Sequence, residues 1–138
     1  ILEIHDGRPM ENSISTEVFG VHQCMEKIQK EVSKHSGVEV PEMLIEPLLR
    51  NGIGDRTDAV AMTTKRIAEN YTAEIMKKLI AHGYREELVH LYIIDGGGCL
   101  LQNFSDLTAK PEVTVITDIC ANAKGYEALA MMKQRMRG

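Results

Sequence analysis

The fold class is decided by one stretch, Leu88-Val89-His90-Leu91-Tyr92-Ile93-Ile94-Asp95-Gly96-Gly97-Gly98. Its first seven residues are apolar, β-branched or aromatic, which predicts a short buried strand. Three consecutive glycines follow where that strand ends. At the carboxyl end of a strand in an α/β fold, glycines let a ligand approach the backbone because no Cβ is in the way. The stretch therefore predicts an α/β domain with a candidate ligand site at this turn.

The glycine triplet has two interpretations that the residues alone leave open. It is neither a dinucleotide-binding Gly-x-Gly-x-x-Gly motif nor a P-loop, since no Gly-Lys-Ser/Thr follows it. A tight turn between a strand and a helix explains it equally well. Asp95 also has two interpretations. Its carboxylate either orients a ribose or a water, or caps the turn at Gly97.

A second strand is predicted downstream, over residues 113–117, and the segment Ala121-Asn122-Ala123-Lys124-Gly125-Tyr126 then opens a last helix. This order of a glycine-ended strand, a short helix, a strand and a small-residue helix start resembles domain II, the carboxyl-terminal half, of the actin-like ATPases. Within them it is similar to the ParM/StbA plasmid-segregation family. The resemblance implies a ribonuclease H-like layered sheet with helices, and it makes Gly96, Gly97 and Gly98 the adenosine motif. It also makes the small-residue segment the second interdomain connection.

The beginning of the sequence also agrees with this resemblance. Residues 1–5 read as a strand, Asp6-Gly7 is a strong hairpin signal, and a return strand is expected over residues 10–14. In the family this hairpin directly follows a phosphate motif, so we expect the chain to be a fragment that begins just after it. The resemblance then divides domain II into a core subdomain, about residues 1–20 and 55–138, and a smaller inserted subdomain, about residues 21–54.

Three helices are predicted from apolar spacing and stop signals. They cover about residues 20–35, ended by Gly37, then 57–82, ended by Gly83, and 121–136. Pro41 suits a helix start, whereas Pro47 is expected to break or kink the chain after it. Residues 42–45 and 48–50 are therefore expected to form only short turns.

The first helix carries Lys30, Glu31 and Lys34 near its end. From the residues alone, a solvated helix face is the ordinary interpretation. In the actin-like family a charged residue near this position meets the adenine or ribose, so the resemblance implies that Lys30 and Lys34 bind nucleotide. Lysine stems can cover a ring while the ammonium group bonds its edge.

The composition limits the remaining possibilities. The 138 residues suffice for one core, are 43% hydrophobic and carry a net charge of −4 without a basic tract, so direct nucleic-acid binding is not expected. Cys24, Cys99 and Cys120 lack metal-ligand spacing, which favours free thiols in a reducing cytoplasm. The five histidines are scattered, no metal site is expected, and no run approaches transmembrane length.

The function implied by the resemblance is that of a filament-forming ATPase that segregates plasmid or mobile-element DNA. Its cofactor would be ATP or ADP with Mg²⁺, and its partners other filament subunits and a DNA-bound adaptor protein. The phosphate motifs are not in this sequence and no catalytic residue is evident, so we expect the chain alone to be inactive. The alternatives are another member of the actin, heat-shock chaperone and sugar kinase superfamily, or a non-catalytic α/β binding module.

If the last helix is the second connection, as the resemblance implies, it carries more apolar residues than one half of such a protein can cover. They are Ala128, Leu129, Met131, Met132 and Met136. An uncovered apolar face favours association, so we expect self-association through this helix or fraying of its end.

Overall fold

A computed structural model describes residues 1–17, 19–94, 97–116 and 121–138. In chain order the elements are β1 (Ile4–His5), β2 (Arg8–Pro9), α1 (Val21–Ser36), α2 (Glu42–Asn51), α3 (Ala59–Ala81), β3 (Leu91–Ile94), α4 (Gly97–Phe104), β4 (Val113–Ile116) and α5 (Ala121–Arg137). Short 3-10 turns lie at Glu11–Ser13 and Leu107–Ala109. The predicted α/β class is confirmed. Asp95, Gly96, residues 117–120 and therefore Cys120 lie outside the described residues.

Strands β3 and β4 pair in parallel and are joined through α4, as in a βαβ unit. Their register runs from Leu91 opposite Val113 to Ile94 opposite Ile116. Leu91, Ile93 and Val113 belong to a buried cluster on one face of this sheet. On the other face Tyr92 is 61% exposed.

The prediction of a buried strand from Leu88 is wrong in two respects. The strand begins only at Leu91, because the backbone N–H groups of Leu88 and Val89 both donate to the carbonyl of Arg85 in a local turn. Its side chains then alternate between half-buried and exposed. That alternation is the pattern of a sheet packed on one face only.

The amino-terminal hairpin forms where Asp6-Gly7 predicted it. Both residues adopt positive φ, 49° and 73°, which is the geometry of a tight hairpin turn. The expected return strand over residues 10–14 is wrong. Strand β2 ends at Pro9, which has no N–H for a ladder. The chain then winds into the 3-10 turn, where Ser13 donates its N–H to the carbonyl of Met10.

Helices α1, α3 and α5 have nearly the predicted bounds. Gly37 ends α1 with a φ of 69°, a left-handed conformation that costs glycine little. Asp58 caps α3, since its carboxylate accepts the N–H of Ala61 at 3.1 Å.

Helix α2 is a correction, because the break expected at Pro47 does not occur. Pro47 lies inside one continuous helix, Glu42–Asn51. The carbonyl that proline leaves without a donor belongs to Met43, which is 74% exposed, so water can solvate it. Ile45, Leu48 and Leu49 are buried on the inner side of this helix. Burial of that face outweighs the proline penalty.

The core lies where α1 and α2 pack on α3 and α4. Residues 21–51, which the resemblance assigns to an inserted subdomain, therefore share one core with the later helices. Its buried members are Cys24, Met25, Ile28, Val32, Val40, Ile45, Leu49, Ala68, Tyr71, Leu100 and Phe104.

Candidate functional site

Gly97 and Gly98 begin α4 at the carboxyl end of β3, and their surroundings differ. Among the described residues, a Cβ built on Gly97 would meet no heavy atom within 4 Å. A Cβ on Gly98 would lie 2.7 Å from Cγ1 of Val115 and 3.9 Å from Cγ2 of Ile93. Glycine at 98 thus lets α4 pack closely on the sheet. Space next to the backbone, which a ligand requires, exists only at Gly97 of these two.

The third glycine of the predicted motif, Gly96, lies outside the described residues, as does Asp95. The candidate ligand position at this turn is therefore described by Gly97 alone. It lies at the end of a parallel strand and at the first position of a helix. In open α/β sheets, ligands bind outside the carboxyl ends of the strands.

A second candidate feature is a shallow groove of about 350 Å³ between α1 and α3. Lys30 and Lys34, one helical turn apart, both line it. The remaining lining residues are Lys27, Glu31, Arg66, Ile67, Asn70, Tyr71 and Glu74. The structure thus places the two predicted nucleotide-binding lysines in one concave site.

Ion pairs neutralise only part of the charge in this groove. Glu31 accepts from Arg66 at 3.3 Å and lies 3.8 Å from the ammonium group of Lys34. Lys27 lies 3.6 Å from Glu74. Among the described residues Lys30 has no ion-pair partner within 4 Å, so it remains available to an anionic or polar ligand. Four cationic side chains against two carboxylates leave the groove positive, although the chain as a whole is negative.

Tyr71 forms the floor of the groove and fixes its two walls. Its hydroxyl donates to the carbonyl of Gly20 at 3.0 Å and accepts the N–H of Gly20 at 2.9 Å. Burial raises the pKa of this phenol above its ordinary value. The nitrogen of Lys27 lies 5.2 Å from the ring centroid, within cation–π range.

The turn and the groove do not form one pocket. Every residue that lines the groove comes from α1 or α3, and neither Gly97 nor Gly98 is among them. The structure therefore brings Lys30 and Lys34 to each other and to Arg66, but not to the glycines.

Two groove residues were missed by the sequence reasoning. Arg66 is exposed on α3, lines the groove and pairs with Glu31. Asn70 lies one turn further along the same helix. The spacing of four residues puts both on one helix face, which was the available signal. The sequence did not show that this face lies opposite Lys30.

Another polar cluster joins the amino-terminal segment to the end of α3. The Nε2 atom of His82 lies 2.8 Å from Glu17 and 3.5 Å from the hydroxyl of Ser15. The hydrogen bond to His82 is the main reason that the pKa of Glu17 is lowered. A catalytic triad needs the acid and the serine on different ring nitrogens. Here both contact the same one, so the cluster acts as a tether.

The structure also bears on the expectations for cysteines, metal sites and membrane-spanning helices. Cys24 is fully buried in the core, and burial raises the pKa of its thiol to about 11. In the described ranges, no three His, Cys, Asp or Glu residues are grouped so as to hold a metal ion. Among those same residues, no helix has both the length and the apolarity needed to cross a bilayer. Comparisons of the chain with protein-family models, curated proteins and solved structures gave no match.

Proposed function

We propose that this chain is the adenosine-binding half of a filament-forming, actin-like ATPase that segregates plasmid or mobile-element DNA. The observation that carries the proposal is that no described residue occupies the space beside Gly97, at the carboxyl end of a strand in a parallel pair. Such a position is where α/β folds bind nucleotides.

The basic groove gives the proposal its second element. Lys30 and Lys34, which both line the groove, hold the ribose or base edge. Since the groove and the glycine turn are separate, a nucleotide that contacts both requires closure of α1 toward α4 or an additional protein surface. The second arrangement fits a cleft of which this chain supplies one wall.

The exposed surface supports an absent covering partner. A folded monomer of 15.4 kDa exposes about 7,200 Å² by the usual scaling. This chain exposes 9,927 Å², an excess of about 2,700 Å² over that scaling. Permanent interfaces commonly bury areas of this order. The exposed face of the parallel sheet belongs to this excess, because such sheets are normally covered on both faces.

In this proposal the chain's residues bind and orient nucleoside but do not carry out chemistry. Phosphoryl transfer needs a cradle for the phosphates, Mg²⁺ and a positioned water. In the actin-like family the motifs that supply these groups lie outside this sequence, so the other half would complete the binding site for ATP or ADP with Mg²⁺. Filament subunits and a DNA-bound adaptor are the partners of the intact protein.

The proposal is tested by titrating the isotope-labelled chain with ATP and following amide chemical shifts. We expect weak, millimolar binding, worth about 4 kcal/mol, with shifts at Gly97, Lys30 and Lys34. Gly97→Val and Lys30→Ala should abolish the shifts, whereas Lys65→Ala, an exposed lysine of α3 outside the groove, should not. Shifts absent from both regions would contradict the proposal.

Phosphate release separates the half-site from a complete enzyme. The chain alone should show no turnover above background. Turnover that disappears in Gly97→Asp would mean that a whole active site is present and would refute the half-domain interpretation.

A non-catalytic binding module is the second candidate, and the packing of Gly98 favours it. Glycine there is explained by contact with Val115 alone. This alternative predicts that Gly97→Val folds normally and that no nucleoside triphosphate shifts any amide. Other members of the same ATPase superfamily, such as chaperones and sugar kinases, would share the shifts at Gly97.

A further inference from the structure

Helix α5 presents an apolar stripe to solvent. Every side chain from residue 123 to residue 138 is exposed. Leu129, Met132 and Met136 are 57%, 61% and 87% exposed, and their spacing places them with Gly125 along one side of the helix. From residue 123 onward α5 buries none of its apolar side chains, and a helix gains most of its stability in a protein from packing of its apolar face, so a surface that covers this stripe would stabilise it.

The charges on α5 are arranged around that stripe. At about 100° per residue, Lys133 lies about 70° to one side of its centre and Arg135 about 90° to the other. Glu127 lies about 170° away, on the opposite side of the helix. A surface that accepts the stripe should therefore be apolar in its middle and acidic at its edges.

The chain contains such a surface. A groove of about 350 Å³ runs between α3 and the end of α4 with the turn that follows it. Its apolar lining consists of Ala73, Met76, Ile80, Leu101, Phe104 and Leu107. Glu69 stands on the α3 wall and Asp106 on the opposite wall. Lys77, the one cation among the lining residues, lies two turns beyond Glu69 on α3.

We propose that α5 of one copy docks in the α3–α4 groove of a second copy. Antiparallel to α3, the helix brings Lys133 and Arg135 to the acidic end of the groove, whereas Glu127 points away from the groove into solvent. The occupant is a second copy because one chain carries both the stripe with basic flanks and the apolar groove with acidic walls. Two such contacts close into a dimer if they are reciprocal and form an open chain if they are not. The contact uses α3, α4 and α5 and does not depend on nucleotide.

Sedimentation velocity of the whole chain over a range of concentrations tests the proposal. The wild-type chain should associate, and Met132→Glu should weaken association at least tenfold. Met131→Glu is the matched control, since Met131 is on the same helix and 51% exposed but lies about 130° from the stripe. On the groove side, Ile80→Glu should weaken association and Met62→Glu, at similar exposure on α3, should not.

Charge exchange identifies the pair of surfaces. Lys133→Glu should weaken association, and Glu69→Lys in the same chain should restore it. Circular dichroism establishes that each variant is folded. A monomer at all concentrations would overturn the proposal, as would equal effects of Met131→Glu and Met132→Glu. A monomer whose α5 amides are protected from exchange would mean that the helix docks on its own chain, which also overturns it. None of these outcomes changes the result that we expect from the nucleotide titration.

Discussion

Replacing Gly98 and Gly97 separately by alanine should separate the packing role of this turn from any ligand role. Both positions are in α4, so the change in helix propensity is similar and favours alanine by up to about 1 kcal/mol. The surroundings differ. The new methyl group at 98 would stand 2.7 Å from Cγ1 of Val115, whereas the one at 97 would meet no atom of the described part of the chain within 4 Å.

The expected size of the effect comes from this geometry. A carbon–carbon distance of 2.7 Å is about 1 Å shorter than an optimal contact. Val115 is β-branched and stiff about χ1, so relief requires movement of α4 against the sheet. Overpacking of this kind costs about 1–3 kcal/mol. We expect Gly98→Ala to lower the free energy of unfolding by about 1–2 kcal/mol, and Gly97→Ala to leave it unchanged or slightly raised.

Urea denaturation followed by circular dichroism measures the free energy of unfolding of both variants. The comparison requires that the slope of this free energy against urea concentration is the same in each variant. The double variant Gly98→Ala/Val115→Ala is the control, because removing the valine methyl groups should relieve the contact. A coupling energy of at least about 0.5 kcal/mol is expected between the two sites. Equal stability of Gly97→Ala and Gly98→Ala would refute the packing argument. A ligand role would then be the remaining explanation for glycine at position 98.

Three further predictions concern groups with defined partners. Tyr71→Phe should lower the free energy of unfolding by about 1–3 kcal/mol, because both hydrogen bonds to Gly20 are lost; urea denaturation measures it, and an unchanged midpoint would contradict the structure. Arg56 and the N–H of Ala61 lower the pKa of Asp58 to about 2 from its ordinary 3.8, so its stabilising effect should be complete above about pH 4 and lost as the pH falls toward 2. Thermal unfolding across that range should show a smaller pH dependence in Asp58→Asn, and an equal dependence would refute the assignment. Burial raises the pKa of the Cys24 thiol to about 11, so a thiol reagent near pH 8 should modify it only in urea, as mass spectrometry of the peptide would show.

Local signals in the sequence predicted the long helices well. Gly37 and the cap at Asp58 mark boundaries through backbone geometry that depends only on neighbouring residues. The hairpin at Asp6-Gly7 was predictable for the same reason. The continuity of α2 was not predictable, because the penalty at Pro47 is local while the burial that outweighs it comes from α1, α3 and α4.

The candidate site was predicted only in part. Lys30 and Lys34 were selected through a family resemblance, and the structure adds that they share a groove with Arg66 and Asn70. Which residues of α3 lie opposite α1 depends on how the two helices cross, and spacing within one helix does not determine that. The difference between Gly97 and Gly98 was likewise hidden, since it arises from Val115 on another strand.

The proposed nucleotide site and the proposed association surface share one element, α4, at opposite ends. Gly97 begins this helix, and the groove uses Leu101 one turn later, Phe104 at its end and Leu107 beyond it. The rise from Gly97 to Phe104 is about 10.5 Å, just beyond the 7–10 Å within which substitutions usually interact. Variants at Gly97 should therefore change amide shifts with ATP and leave sedimentation unchanged, while Met132→Glu should do the reverse. If a single variant altered both, α4 would have to move as a rigid body between the two sites.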